Sequence, residues 1–284
     1  MGNVLLALAY TNLWIALSAA GEVWVTQILL GIAWNWQAPF VAFATMLMVY
    51  TFAKTIHFDP QADALNDPER TALLLRWRWP LIGLSTVLYI AALSIAQGMS
   101  LAGWCLFPFA TAILYDVKLL PTRLRYRRLK DIPGIKSVVV AFTWAVTTVW
   151  VPVLVSGSRP SGIGVLFLWN FLLWFVNTVF FDMGDMRGDR LEGTRTLPLL
   201  LGFRTCRRLL LALALLAAVV LWWGQSRALV SPLAGWANLL SLYTFAYVLA
   251  GRSEDDDLGF LCDVVADGVF IAGAGLLAVV LWLA

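Results

Sequence analysis

Asp182, Asp185 and Asp189 stand three and four residues apart, and Asp59, Asp63 and Asp67 stand four and four apart. On a helix, either spacing places three carboxylates along one face. Like charges so placed repel one another by roughly 0.2–0.5 kcal/mol per pair, so each stack needs a counter-charge. A hard divalent cation supplies it. Mg2+ takes one or two carboxylates and fills the rest of its shell with water and phosphate oxygens, so the chemistry on offer is activation of a phosphate-bearing group. The alternative is a pair of solvated helix ends. For the second cluster, the residues that follow count against that reading: Gly193, Thr196-Leu197-Pro198 and Gly202 come next, and glycines let backbone approach a ligand closely.

The elements that must hold these acids are membrane helices. Of 284 residues, 61% are apolar and 13% charged, with fifteen Trp and sixteen Phe. A soluble fold could not hide that much apolar surface. The composition excludes a disordered chain, a disulfide-stapled secreted domain and a nucleic-acid binder. Runs long enough to cross a bilayer fall at 4–31, 36–54, 77–96, 102–117, 136–155, 162–181, 204–224, 230–250 and 259–283. The first is overlong and carries Glu22, so it is either one tilted helix or a span with a half-helix. The expected fold is all-α: about nine transmembrane helices in one bundle around a central cavity, with residues 1–284 as a single domain.

Eighteen of the twenty Lys and Arg lie in alternate connections, and only Arg159 and Arg227 lie opposite. The positive-inside rule makes those connections cytoplasmic, so the expectation is a multi-pass protein of the cell membrane with its acidic loops inside. Except for Glu22, every Asp and Glu is in or beside the same loops. Glu254, Asp255, Asp256 and Asp257 read as solvated charge. Cys105, Cys206 and Cys262 show no metal or redox spacing. The N-terminus has neither the basic region of a signal peptide nor a myristoylation pattern.

The sequence resembles the UbiA family of intramembrane prenyltransferases. That family's second motif reads D-x-x-D-x-x-x-D, then G-x-x-T-L-P and a glycine. Asp182, Asp185, Asp189, Gly193, Thr196, Leu197, Pro198 and Gly202 match it position by position, with Gly184 where a basic residue is common. The first motif, N-D-x-x-D-x-x-x-D followed by A-x-N-x-P-x-R, is matched in its tail by Asp63, Ala64, Asn66, Pro68 and Arg70. In that register Asp59 and Asp63 are its second and third aspartates. Thr55 and Ile56 replace the leading Asn-Asp, and Asp67 is an extra acid; His57 or Asp67 could substitute for the missing ligand. Tyr115, Lys118 and the stretch from Leu129 to Lys136 resemble the family's Tyr- and Lys-bearing fourth-to-fifth loop.

The resemblance implies Mg2+-dependent transfer of a prenyl group from a prenyl diphosphate to an acceptor: an aromatic, a quinone precursor or a lipid. Asp182, Asp185 and Asp189 would hold one Mg2+, and Asp59 with Asp63 another. Lys130, Lys136, Lys118 and Arg70 would take phosphate charge, with Tyr115, Asn66 and Asn177 lining the substrate site. Aromatic groups such as Tyr50, Trp144 and Phe181 could face an allylic cation. Asp116, Asp263 and Asp267 are further acids near helix ends, and a carboxylate at membrane depth is a functional candidate. Two other readings stay open at this stage: a family member without catalysis that binds lipid or assists assembly, and a transporter. A transporter, however, would be expected to place its acids nearer the midplane.

Overall fold

The computed structural model describes residues 2–56, 68–99, 101–116, 132, 134–192 and 195–283. Each of the nine apolar runs is helical. In chain order the elements are α1 (Gly2–Tyr10), α2 (Leu13–Leu29), α3 (Gln37–Ile56), α4 (Pro68–Gly98), α5 (Ala102–Asp116), α6 (Ile135–Ser156), α7 (Ile163–Gly184), α8 (Met186–Glu192), α9 (Leu197–Leu201), α10 (Phe203–Ser226), α11 (Ala234–Ala237) and α12 (Leu239–Ala250). A π-helical turn (Leu261–Ala266) then leads into α13 (Val269–Leu283). Among the described residues, four helices are individually long and apolar enough to cross a membrane: α4, α6, α7 and α10. Counting the bent pair α1–α2 as one span makes five.

The overlong first run resolves into two helices bent by 83°. Asn12 makes the break, with φ 62°, in the left-handed region that Asn tolerates better than most side chains. α4 starts nine residues before the apolar run that announces it. Its 31 residues span about 47 Å, well beyond an apolar core of about 30 Å. The extra turns carry Arg70 and Arg76; Arg76 and, just inside the run, Arg78 lie over the rings of Trp77 and Trp79. Arg70 is therefore held on a rigid helix rather than in a loop.

Neighbouring helices pack in a closed ring, in the order α4, α3, α2, α13, α12, α10, α7, α6, α5 and back to α4. Small residues set the close crossings, as is usual where lipid gives no hydrophobic drive between helices. A Cβ on Gly21 would lie 2.8 Å from the Phe270 carbonyl oxygen, so α2 meets α13 backbone to backbone. Inside the ring, α2 touches a π-helical stretch of α6, Val146–Trp150. Glu22, fully buried, makes this contact. Thr148 donates to its Oε1 at 2.6 Å, and Trp174 Nε1 donates to its Oε2 at 2.7 Å. One apolar core fills the ring's middle around Trp144, Trp169, Trp174 and Phe270. A second, around Phe180, Met183, Phe203 and Tyr247, lies under α8 and α9.

Candidate functional site

The end of α7 builds the site. Asp182 is in its last turn, 1% exposed; Asp185 caps it; Asp189 follows on α8, 8% exposed. The backbone steps down through the motif, with Asp185 N–H donating to Phe181 O and Asp189 N–H donating to Asp185 O at 2.9 and 3.0 Å. The three acids therefore stay on one surface although the helix breaks between them. Gly184 lets the last helix approach, since a Cβ there would lie 3.3 Å from Cys262 Sγ. A larger side chain at 184 would push against the π turn.

Asp182 is neutralised from α6. Lys136 Nζ donates to its Oδ1 at 2.8 Å and Ser137 Oγ to its Oδ2 at 3.1 Å. Gly134, with φ 76°, turns the chain into α6 against Leu197 and so delivers Lys136 one residue into the helix. Asp185 and Asp189 are not paired in this way. Burial pushes the Asp185 carboxyl up, while Arg70 and Lys136 pull it back. Burial pushes Asp189 up to about 7, with Lys136 opposing and the other two aspartates reinforcing. Asp189 Oδ2 and Thr196 Oγ1 are both buried and make no hydrogen bond of good geometry, although the Thr196 hydroxyl is close enough to help hold the Asp189 carboxyl down. A poorly satisfied carboxylate oxygen beside clustered carboxylates costs free energy as it stands, and a hydrated cation would satisfy it. The donor set is all hard oxygen and fits Mg2+. Among the described residues, no three acidic, His or Cys side chains close around one point, nor does Mg2+ held largely by water and diphosphate require it.

A second polar group faces the motif from the other side of the ring. Arg70 Nη1 lies 3.3 Å from Asp263 Oδ1, an ion pair between the start of α4 and the π turn. Asn177, one turn and more below Asp182, donates to Asp267 Oδ1 at 3.4 Å. Lys54, at the end of α3, lies within electrostatic reach of Arg70, Asp263, Asp267 and Asp185. Arg70, Phe181, Asp185, Arg187, Asp263 and residues 254–259 line a cleft at this end. The acidic loop is solvated, as expected, and makes exposed surface pairs: Glu254 with Arg190, and Asp255 with Arg187 at 3.5 Å.

Of the site residues expected from sequence, the structure brings together Asp182, Asp185, Asp189, Lys136, Arg70 and Asn177. Tyr115 belongs to α5. Asp59, Asp63, Asn66, Lys118 and Lys130, with His57 and Asp67, lie outside the described residues. Lys54 was missed, and its sequence signal was weak: a single basic residue ending an apolar span. Glu22 was noticed but had no partner in view, because Thr148 and Trp174 are 126 and 152 residues away.

Comparison with known proteins adds the following. The model of the UbiA prenyltransferase family matches residues 57–272. Digeranylgeranylglyceryl phosphate synthase of Halobacterium salinarum is 32% identical over 150 residues, covering 51% of this chain and 50% of that protein. The synthase of the same name from Natronomonas pharaonis is 27% identical over 187 residues, 66% of this chain and 63% of that one. The match to the Halobacterium relatives thus spans about half their length. Among solved structures, a UbiA homologue from Aeropyrum pernix K1 superposes with a TM-score of 0.63 at 13% identity, covering 94% of this chain and 97% of that one. A homologue from Archaeoglobus fulgidus bound to GPP and Mg2+ gives 0.57 at 14%, covering 95% and 98%. At such identities the likeness is one of fold.

Proposed function

Because the chain belongs to the UbiA prenyltransferase family, we propose that it transfers a prenyl group from a prenyl diphosphate to a lipid acceptor, with Mg2+, at the α7–α8 end of the bundle. The buried cluster of Asp182, Asp185 and Asp189, with Asp189 Oδ2 poorly satisfied beside Thr196, carries this reading, because it forms a built but incomplete oxygen site. The names of the matched relatives favour a glyceryl phosphate lipid over an aromatic or quinone-type acceptor. By the distribution of its basic residues, this end faces the cytoplasm.

In this reading Asp185, Asp189 and Asp182 hold the metal, with Asp59 and Asp63 of the first motif as further ligands. Mg2+ supplies Lewis-acid charge that makes diphosphate a better leaving group. The chain's own groups do the rest. Lys136, which holds Asp182, would also meet the diphosphate with its positive charge. Arg70, steadied by Asp263, offers a planar fork suited to phosphate oxygens. The wall of apolar helices keeps water from the allylic carbon as its bond to oxygen breaks; the acceptor hydroxyl oxygen then forms the new bond, and its proton passes to the released diphosphate.

The test uses purified protein in nanodiscs, with a prenyl diphosphate and a prenylglyceryl phosphate. Release of diphosphate together with an ether-linked product, both abolished by EDTA and restored by Mg2+, supports the reading. Diphosphate release without dependence on either acceptor or Mg2+ would overturn it.

A further inference from the structure

The π turn before α13 carries two carboxyls into the ring. Asp267 N–H donates to Cys262 O at 3.2 Å, five residues back, the widened bond of such a turn. Asp263 and Asp267, four residues apart, both face inward from it: Asp263 meets Arg70 of α4, and Asp267 meets Asn177 of α7. Their roles differ. Asp263 is 4% exposed, lines the cleft and is committed to Arg70. Asp267 comes one turn later, further into the bundle, and the ion pair does not use it.

Among the described residues, little answers the Asp267 carboxyl. Its Oδ1 accepts from Asn177 Nδ2 at a long 3.4 Å, its Oδ2 accepts from none of them, and the residue is half-buried rather than closed off. Lys54, also half-buried, ends α3 within electrostatic reach of Asp267 and of Asp185 in the metal motif. Yet Lys54 and Asp267 form no ion pair with each other, so ammonium and carboxylate stand apart across a gap. Tyr50, one turn before Lys54, and Tyr247 of α12 border the same carboxyl. Tyr50 is fixed there by Trp144 Nε1, which donates to its Oη at 2.9 Å. Asn177 is five residues of helix below Asp182, a depth of about 8 Å. Asp267 therefore belongs to the layer just beneath the metal motif, and a carboxylate so placed is costly unless it has a task.

We propose that Asp267 and Lys54 seat the hydroxyl group of the acceptor, with Asp267 taking its proton. This rests on the prenyl-transfer reading above and names the chemistry of the nucleophile. An ammonium only donates and a carboxylate only accepts, so the group that joins them must do both, as a hydroxyl does. Its oxygen accepts from Lys54 Nζ, its hydrogen goes to Asp267 Oδ2, and its second lone pair stays free. An aromatic carbon nucleophile makes neither bond, and a second phosphate in this place is repelled by Asp267. As the allylic carbon–oxygen bond to diphosphate breaks, the free lone pair forms the ether bond to that carbon. The proton crosses to Asp267 and then to the released diphosphate, which restores the carboxylate. Asn177, occupied with Oδ1, leaves Oδ2 to the hydroxyl.

The experiment reads binding first and turnover second. Full-length protein in nanodiscs, loaded with Mg2+ and an unreactive prenyl thiolodiphosphate, is titrated with two lipids: a prenylglyceryl phosphate with one free hydroxyl, and its O-methyl ether. The free hydroxyl should tighten binding by at least about tenfold, the scale of a hydrogen bond to charged groups. Asp267→Asn and Lys54→Met should each shrink that preference. In turnover, Asp267→Asn should lower transfer by at least about a hundredfold while affinity for the thiolodiphosphate stays within about twofold, a split that damage to the fold does not produce. Asp267→Glu, which keeps the carboxylate, should recover part of the transfer. Equal binding of the two lipids by the unmodified protein overturns the seat without any variant having to fold. So does undiminished transfer by folded Asp267→Asn, which leaves the proposed function standing. Hydroxyl-selective binding that depends on Asp267, with no transfer by the unmodified protein, would instead sink the proposed function and keep the seat. If neither lipid binds, the seat falls.

Discussion

Lys136 Nζ lies 2.8 Å from Asp182 Oδ1, joining the first turn of α6 to the last turn of α7. Asp182 is 1% exposed at its side chain and Lys136 37%, so the pair has a dry side and a wet side. The ammonium gives the motif's most buried carboxylate a counter-charge, and its wet side is open to an arriving anion. In the proposed reading, one cation would serve the fold before substrate binds and the substrate afterwards.

Lys136→Met should therefore show two separable losses. Asp182 loses its cation and keeps only the Ser137 hydroxyl, so the protein should be destabilised by about 1–3 kcal/mol, the cost of stranding a buried charged acceptor. Donor affinity should also fall. Adding Asp182→Asn removes the stranded charge and should restore the melting temperature without restoring donor affinity. Recovery of both in the double variant would show that Lys136 is only a structural partner.

Asp185 and Asp189 have no such partner, and their loss should cost little stability. Asp185→Asn and Asp189→Asn should each lower prenyl transfer by at least about a hundredfold, as when a preorganised charge is removed from a reacting centre. Protein levels in the membrane should hardly change. Near-normal transfer by both variants, measured per folded molecule, would rule out the metal site placed there.

Much of this was legible in the sequence because it is local. Hydropathy marks each helix by its own residues, and Asp182, Asp185 and Asp189 share one short stretch whose spacing survives the break at Gly184. What was not legible is long-range. The Arg70–Asp263 pair joins residues 193 positions apart, and no spacing rule reaches that far. The polar start of α4 hid Arg70's helix, since a helix outside the bilayer has no apolar run to announce it. Glu22 looked out of place in an apolar span because its two donors arrive from α6 and α7. The π turns at Val146–Trp150 and Leu261–Ala266 leave no mark in composition. Each carries one partner of a long-range contact: Thr148, which meets Glu22, and Asp263, which meets Arg70.

The orientation can be read by labelling. Ser158 and Ser226 are exposed at the end away from the acids, and Asp257 is exposed at the acidic end. The native Cys105, Cys206 and Cys262 are buried and should stay silent. Ser158→Cys and Ser226→Cys should react with an impermeant maleimide added to intact cells, and Asp257→Cys only after the membrane is opened. The reverse pattern would place the diphosphate site outside and remove the cytoplasmic supply of donor.

Acidity should govern metal binding through Asp189. Its carboxyl is pushed up to about 7 by burial, above the usual carboxylate range, so the folded metal-free protein holds a proton there that the unfolded chain has released. Stability from that group is complete below the unfolded value, near 4, and is lost as pH rises toward 7. Mg2+ competes with the same proton and works in the opposite direction. Below about pH 7 its apparent affinity should weaken by up to about tenfold per pH unit, for one proton displaced; above that it should level off. The thermal stabilisation given by Mg2+ should accordingly be larger at about pH 8 than at about pH 6. Asp189→Asn has no proton to lose there, so its Mg2+ response should be weaker and much flatter with pH. Melting curves across a Mg2+ titration at three pH values check both statements without any turnover. A Mg2+ midpoint that stays constant across this range in the unmodified protein would mean that Asp189 is not a ligand. An equally steep response in Asp189→Asn would move the titrating ligand to Asp185 or to the first motif.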